Sequence, residues 1–240
     1  MSRRGARRAV AAMGVVLPVH DEENLLPGSL QAIEAAVRAL PASISCRVAV
    51  VLDHCGDASS AIAHTWGARF GALVIPQECG SVGIARQVGG RALLSLWPEE
   101  DPARIWLATT DADSRVPQEW LAVQLGAYLS GADMWAGRVR IAEESATALR
   151  WRQRYSAERN PVHGASLGFS ATLYTQLGGF GGMRTGEDRD LHHRAVAADF
   201  RVVYDLQTAV TTSSRRKGRA PAGFADVLDE VDREELGETA

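Results

Sequence analysis

Long hydrophobic runs are missing from this chain of 240 residues: no stretch approaches the roughly 20 consecutive apolar side chains that cross a bilayer, which excludes polymerising, membrane-embedded synthases as a class. Cysteine is scarce. Cys46, Cys55 and Cys79 are odd in number and far apart, without the paired C-x-x-C spacing of a zinc site or thioredoxin-like motif, and this usage fits a reducing, cytoplasmic setting. An excess of one charge is lacking as well. Lys and Arg total 26 against 29 Asp and Glu, a net charge of -3, so no basic field exists to neutralise phosphates and no nucleic-acid partner is expected. The basic start lacks an A-x-A-like cleavage site, so residues 1–12 read as a flexible arm. Its Arg3, Arg4, Arg7 and Arg8 leave peripheral membrane contact open, although such arginines are more often simply solvated.

What the chain does have is apolar content, 46% of residues, enough to bury the core of one α/β domain. Gly14 to Val19 is a short β-branched run read as a buried strand, closed by the polar turn His20-Asp21-Glu22-Glu23-Asn24. Leu26, Leu30, Ile33, Val37 and Leu40 then recur at helical spacing, with Pro27 in the first turn where a missing N–H costs nothing. The unit repeats. Strands are expected over Arg47–Leu52, Ala72–Pro76 and Arg104–Thr110, with helices over Ser60–Trp66, from Ile84 to Leu96, and over Pro117–Ser130. Strands and helices alternating at this length specify a parallel sheet with right-handed crossovers. Beyond Ser130 the rhythm changes to a mixed α+β extension: a strand over Asp133–Ile141, an amphipathic helix over Ala146–Arg159, a short strand over Ala165–Phe169, a helix opening at GEDRDL, and a closing helix near Phe224–Leu236.

Ligands of open parallel sheets bind outside the carboxyl ends of the strands, so the turns there are where chemistry belongs. The first, PVHDEE, lacks the G-x-G-x-x-G of dinucleotide enzymes. By itself it is a helix start whose Asp21, Glu22 and Glu23 complement the helix dipole. The second, DHCGDASS, places Asp53 just past a strand end, where a carboxylate can accept hydrogen bonds from a base or ribose; alone it is an ordinary Asp-Gly turn. The third is more informative. Asp111-Ala112-Asp113 leaves the buried strand IWLATT with two hard oxygen donors that suit Mg²⁺ or Mn²⁺, while substrate phosphates complete the shell. Near Gly186, Glu187-Asp188-Arg189-Asp190 follows a glycine-rich loop; an ionised carboxylate there is dipole-stabilised and can still take a hydroxyl proton. Its plainer reading is an acidic helix start partnered by Arg189 and Arg194. The six histidines show no metal-ligand spacing among themselves; His163, just ahead of the segment GASLGFS, is the one to watch. No serine sits in a G-x-S-x-G elbow, so hydrolase chemistry of that type lacks support.

Four ordered segments together resemble glycosyltransferase family 2, of the GT-A fold, from Val15 to about Phe224. PVHDEE is similar to the family's P-x-x-N-E-E, with Asp21 where asparagine is usual, and VVLDHCGDAS to V-V-D-D-G-S-x-D. GSVGIARQVGG resembles G-x-x-x-A-x-N-x-G, with Gln87 in the place of asparagine. DAD matches D-x-D. GASLGFSATLYTQLGGF and GEDRDL resemble the acceptor-side G-x-N-x-x-F-R-x-x-x-x-x-x-G-G-F and E-D-x-D-L. The resemblance implies a GT-A domain over residues 13–240, with a nucleotide-binding half over 13–115 and an acceptor half over 116–240.

It further implies that Pro18, Val19, His20, Glu22 and Asp53 line the nucleotide pocket, and that Gly83 and Arg86 approach the diphosphate. Asp113 is the expected metal ligand, with Asp111 on the metal or the ribose. His163, Gly164 and Glu187 face the acceptor and Asp188 is the base. No histidine follows His193, so no third protein ligand for the metal is identified. The partner would be a UDP- or GDP-sugar, and the acceptor is not read; a homodimer is allowed. The absent Q-x-x-R-W favours transfer of one sugar over polymerisation, and displacement at the anomeric carbon would invert it. Arg215, Arg216 and Arg219 are placed equally well in a loop over the diphosphate or in a solvated tail. Two rival readings remain: a sugar-phosphate nucleotidylyltransferase, which would normally carry a glycine-rich, lysine-containing first loop, and a catalytically silent nucleotide-sugar binder.

Overall fold

The computed structural model describes residues 9–78, 80–142, 149, 151, 155, 160–183 and 185–213. The described strands are β1 (Ala12–Val19), β2 (Ser45–Asp53), β3 (Leu73–Gln77), β4 (Ile105–Thr109), β5 (Met134–Ile141), β6 (Leu167–Ser170) and β7 (Val202–Thr212). The helices are α1 (Leu26–Arg38), α2 (Ser59–Phe70), α3 (Val82–Leu94), α4 (Trp120–Leu129), α5 (Ala171–Gln176) and α6 (Glu187–Ala197). Leu149, Trp151 and Tyr155 are helical too, within the helix expected over 146–159. The closing helix expected near Phe224–Leu236 lies outside the described residues.

All seven strands form one sheet in the order β3-β2-β1-β4-β6-β5-β7. β1 pairs in parallel with β2 and β4, and β2 with β3, as the alternating pattern requires. β6 runs against both β4 and β5, so the second half completes the same sheet through one reversed strand. β1 sits at the centre of the first half, and its apolar residues split between the two faces. Val15, Leu17 and Val19 point to a cluster with Leu26, Leu30 and Ile33 of α1, Trp66 of α2 and Trp120 of α4. Val16 points to the other, with Leu93 of α3, Leu173 of α5 and Leu191 of α6. Each such buried aliphatic side chain stabilises the sandwich by about 1.5–3 kcal/mol.

Four expectations are corrected. The arm expected over 1–12 ends earlier among the described residues, since Val10 is buried and Ala12 opens β1. α1 begins at Leu26 with no acidic residue in its first turn, so Asp21, Glu22 and Glu23 do not serve its dipole. Pro117 stands ahead of α4; its carbonyl accepts from the Trp120 N–H at 3.0 Å and closes a turn before the helix begins. β7 is absent from the sequence reading altogether. Its pattern is broken by Asp205, whose carboxylate takes the N–H groups of Gln207 and Thr208 at 2.7 and 3.1 Å, and its register with β5 shifts between Gly137 and Arg138. Such an inserted local turn hides a strand from a period-2 pattern.

Candidate functional site

The carboxyl ends of β1, β2 and β4 carry the three acidic turns side by side. Two of them are stitched together. Asp21, held at φ 51°, accepts the backbone N–H groups of Gly56 and Asp57 at 2.7 and 3.3 Å. Glu23 accepts from the Ala58 N–H at 3.0 Å, and the N–H groups of Glu22 and Glu23 go to Ser59 Oγ and Asp57 Oδ2 at 2.7 and 3.0 Å. These acids satisfy donors around the start of α2, which has no cap of its own. Pro18 pairs with Val51 at the end of β1, Val19 is buried, and the exposed His20 donates from Nδ1 to the Asp53 carbonyl at 2.6 Å. That bond fixes the tautomer, since a carbonyl only accepts.

Asp53 is buried and reaches across to α3. Its two carboxylate oxygens accept from the backbone N–H groups of Gly80 and Ser81 at 3.0 and 3.2 Å, and His54 Nδ1 lies 2.8 Å from Oδ1. Ser81 caps α3, its Oγ accepting from the Ile84 N–H, and the same hydroxyl donates to the Met183 carbonyl at 2.7 Å. α3 therefore begins against the glycine-rich loop. A Cβ at Gly83 would collide with the Gly181 carbonyl and lie 3.0 Å from that of Met183, so this approach requires glycine.

One turn further along α3, Arg86 is buried to 3% exposure, and its guanidinium joins the two halves of the molecule. Nη2 donates to Asp111 Oδ1 at 2.5 Å and Nη1 donates to Glu187 Oε1. The Phe180 ring centre lies 5.9 Å from the guanidinium carbon, and the backbone of Gly164 lies so close that any Cβ there would strike the guanidinium. Gln87 completes the grip: Nε2 donates to the Gly178 carbonyl at 3.0 Å, and Oε1 accepts the Phe180 N–H at 2.9 Å and the Tyr174 hydroxyl at 2.5 Å.

Asp188 is the second residue of α6, one of three acids in its first turn. Oδ2 accepts the Gly164 N–H at 2.7 Å and Oδ1 the Arg189 N–H at 2.7 Å, while the Gly164 carbonyl accepts from Thr109 Oγ1 at the end of β4. Two imidazoles whose protonated forms are disfavoured sit within electrostatic reach of Asp188. Burial pushes His163 down to about 4, opposed by Asp188 and reinforced by Arg189. His192 is lowered by burial, with His193 adding to the effect and Asp188 opposing it; its Nε2 is 2.6 Å from the Tyr204 hydroxyl. Asp113 Oδ1 accepts from Ser114 Oγ at 3.1 Å and from Thr212 Oγ1, at the last residue of β7, at 3.4 Å.

The sequence-derived residues thus gather around α3 and the ends of β1, β2 and β4. Arg215, Arg216 and Arg219 lie outside the described residues. What the sequence reading missed is Gln87 as a clamp on the glycine-rich loop and Thr109 as the link from β4 to Gly164. In the sequence Gln87 reads only as a stand-in for an asparagine of the family's pattern; Thr109 carries no signal. Among the described residues, no three His, Cys, Asp or Glu side chains form a metal-binding group, and no helix is long and apolar enough to cross a membrane.

No family model matches the chain. It is 31% identical over 231 residues to uncharacterized glycosyltransferases of Mycobacterium tuberculosis and Mycobacterium bovis, covering 91% of this chain and 95% of each relative. Among solved structures it is similar to a mannosyltransferase from Pyrobaculum calidifontis in complex with GDP-Man and Mn²⁺, with TM-score 0.65 and 18% identity over 93% of this chain and 70% of that one. It is also similar to S. aureus TarS, with TM-score 0.64 and 13% identity over 93% of this chain; it spans 42% of the TarS chain. A shorter TarS, 1–349, has been solved in complex with UDP.

Proposed function

The chain belongs to the glycosyltransferases that its mycobacterial relatives represent, and from that premise we propose that it is a family 2 enzyme moving one sugar from a UDP- or GDP-linked donor to an acceptor hydroxyl. The single observation that carries this reading is the guanidinium of Arg86, which ties Asp111 of the acidic strand-end turn to Glu187, the neighbour of Asp188. A donor-side and an acceptor-side carboxylate therefore share one buried partner, the closeness that direct displacement needs.

On this reading Pro18, Val19, His20, Glu22 and Asp53 line the nucleotide subsite and Gly83 and Arg86 border the diphosphate, while His163, Gly164 and Glu187 shape the acceptor side. Asp111 and Asp113 would hold Mg²⁺ or Mn²⁺. They fit by the chemistry of the donor set: two hard carboxylates separated by one residue on a tight turn, both partly open to solvent. When bound, such a cation neutralises charge on the departing nucleoside diphosphate. Asp188 takes the proton of the attacking hydroxyl on a carboxylate oriented by the Gly164 N–H, and inversion at the anomeric carbon follows. The neutral His163 adds no competing positive charge beside it. β7 ends at Thr212, in contact with Asp113, and Arg215 follows three residues later, a span of at most about 10 Å. Arg215, Arg216 and Arg219 are thereby proposed as cations for the diphosphate.

The test begins with a thermal-shift panel of UDP-, GDP- and dTDP-sugars with and without Mn²⁺, because a ligand that binds only the folded state raises its stability. Asp188→Asn is expected to lose transfer by about 10²–10⁴-fold while still binding donor; full transfer by this variant refutes the base. Asp113→Ala is expected to abolish the Mn²⁺-dependent part of donor binding, and unchanged binding refutes the metal role.

A further inference from the structure

We propose that Arg86 is a positioning residue whose single charge is shared between donor side and acceptor side, so that filling the Asp111–Asp113 turn with a divalent cation tightens Arg86 on Glu187 and fixes the first turn of α6, where Asp188 sits. The inference rests on the transferase reading for the identity of the ligand, but its argument is local.

The guanidinium is planar and always charged, and each of its two terminal nitrogens holds a different carboxylate. It is confined: Phe180 lies over it, Gly164 backs onto it, and its Nε has no hydrogen-bond partner among the described residues. The two carboxylates differ in access. Glu187 is almost fully buried, with 4% of its side chain exposed, whereas 35% of the Asp111 side chain is open to solvent. An incoming cation can reach Asp111 and cannot reach Glu187. As Asp111 turns part of its charge to the cation, its hold on Arg86 weakens and Glu187 becomes the dominant partner of the guanidinium. Coupling between sites is reciprocal, so loosening Arg86 from Glu187 must strengthen its grip on Asp111 and weaken the cation there. Asp190 provides the internal control. It carries the same charge in the same first turn of α6, yet its carboxylate accepts from the Arg194 guanidinium at 2.7 and 2.9 Å and not from Arg86.

Isothermal titration of the full chain with UDP and with GDP, each with and without Mn²⁺, separates contact from charge. Glu187→Asp keeps the charge and withdraws the carboxylate by one methylene. It is expected to weaken the Mn²⁺-dependent affinity about tenfold, within the range for directly contacting side chains, with the metal-free affinity unchanged. Asp190→Asn, which removes a charge without touching Arg86, is expected to stay within about twofold of wild type, as uncoupled sites do. Wild-type affinity in Glu187→Asp overturns the proposal, and so does an equal loss in Asp190→Asn, which makes the effect one of bulk charge. Should Glu187→Asp fail to fold, Glu187→Gln is measured instead, with the same expected loss and the same two refuting outcomes. A wild-type chain that binds neither nucleotide under any condition refutes the transferase reading and this inference with it. Binding that the Glu187 variants leave intact refutes this inference alone.

Discussion

The turns proposed for the donor side and the glycine-rich loop proposed for the acceptor side are both rich in acids or glycines, and they are held in opposite ways. On the donor side, carboxylates bind backbone: Asp21, Glu23 and Asp57 satisfy N–H groups between neighbouring strand ends, and Asp53 satisfies those of Gly80 and Ser81. On the acceptor side, the backbone is bound by side chains of α3: Ser81 and Gln87 hold the carbonyls and amide of residues 178–183, and Arg86 holds Glu187. The difference teaches where each half is fragile. The donor side spreads its stability over many ordinary hydrogen bonds of about 1 kcal/mol each, whereas the acceptor side depends on a few buried groups of one helix.

The sharpest way to break the comparison is Arg86→Met. It leaves Glu187 buried without its guanidinium, and a loss of about 3–5 kcal/mol in denaturant unfolding is expected; a loss below about 1 kcal/mol would show that Arg86 is not the keystone of the acceptor side. A paired glycine test follows. Gly83→Ala drives a Cβ against the Gly181 carbonyl and is expected to cost about 1–3 kcal/mol. Gly56→Ala on the donor side meets nothing closer than Asp21 Oδ1 at 3.9 Å and is expected to fall within about 0.5 kcal/mol of wild type. Equal costs would erase the contrast.

Acidification should also act on the acceptor side. His163 is lowered to about 4 from an unfolded value near 6.5. Between these values the unfolded chain binds the extra proton, so stability falls as pH drops from about 6.5 towards 4, by roughly 1–3 kcal/mol. The pH dependence of the unfolding midpoint, flattened in His163→Asn, reads this out, and an unaltered slope in that variant would refute it. The smallest effect belongs to the donor turn. Asp21→Ala loses two accepted N–H bonds at a left-handed backbone position and should cost about 1–2 kcal/mol. Asp21→Asn, which tolerates the same backbone and keeps an acceptor oxygen, should lie within about 0.5 kcal/mol of wild type. A larger loss in Asn would mean that the charge of Asp21, rather than its oxygen, holds the turn.

Much of the first half was legible in the residues because its signals are local. The run from Gly14 to Val19, the periodicity from Leu26 to Leu40, and turns rich in Asp and Gly place β1, α1 and the strand ends within a few residues of where they lie. Parallel pairing followed, since crossovers of that length leave little choice of direction. The second half of the chain was read less well. Four residues of β6 carry no sign of their direction, and the turn around Asp205 disguised β7.

By itself the sequence determined the alternation of strands and helices, the carboxylates at the strand ends and the acidic start of α6, because apolar period, capping and turn chemistry are properties of neighbouring residues. Only the tertiary structure decided which carboxylates share a partner. Arg86 lies 25 residues from Asp111 and 101 from Glu187, and no spacing rule relates such distant positions. Their meeting is fixed by two glycines, Gly83 and Gly164, that let α3 press against the loop and the strand end, and by a low-dielectric interior in which a lone guanidinium must find negative charge.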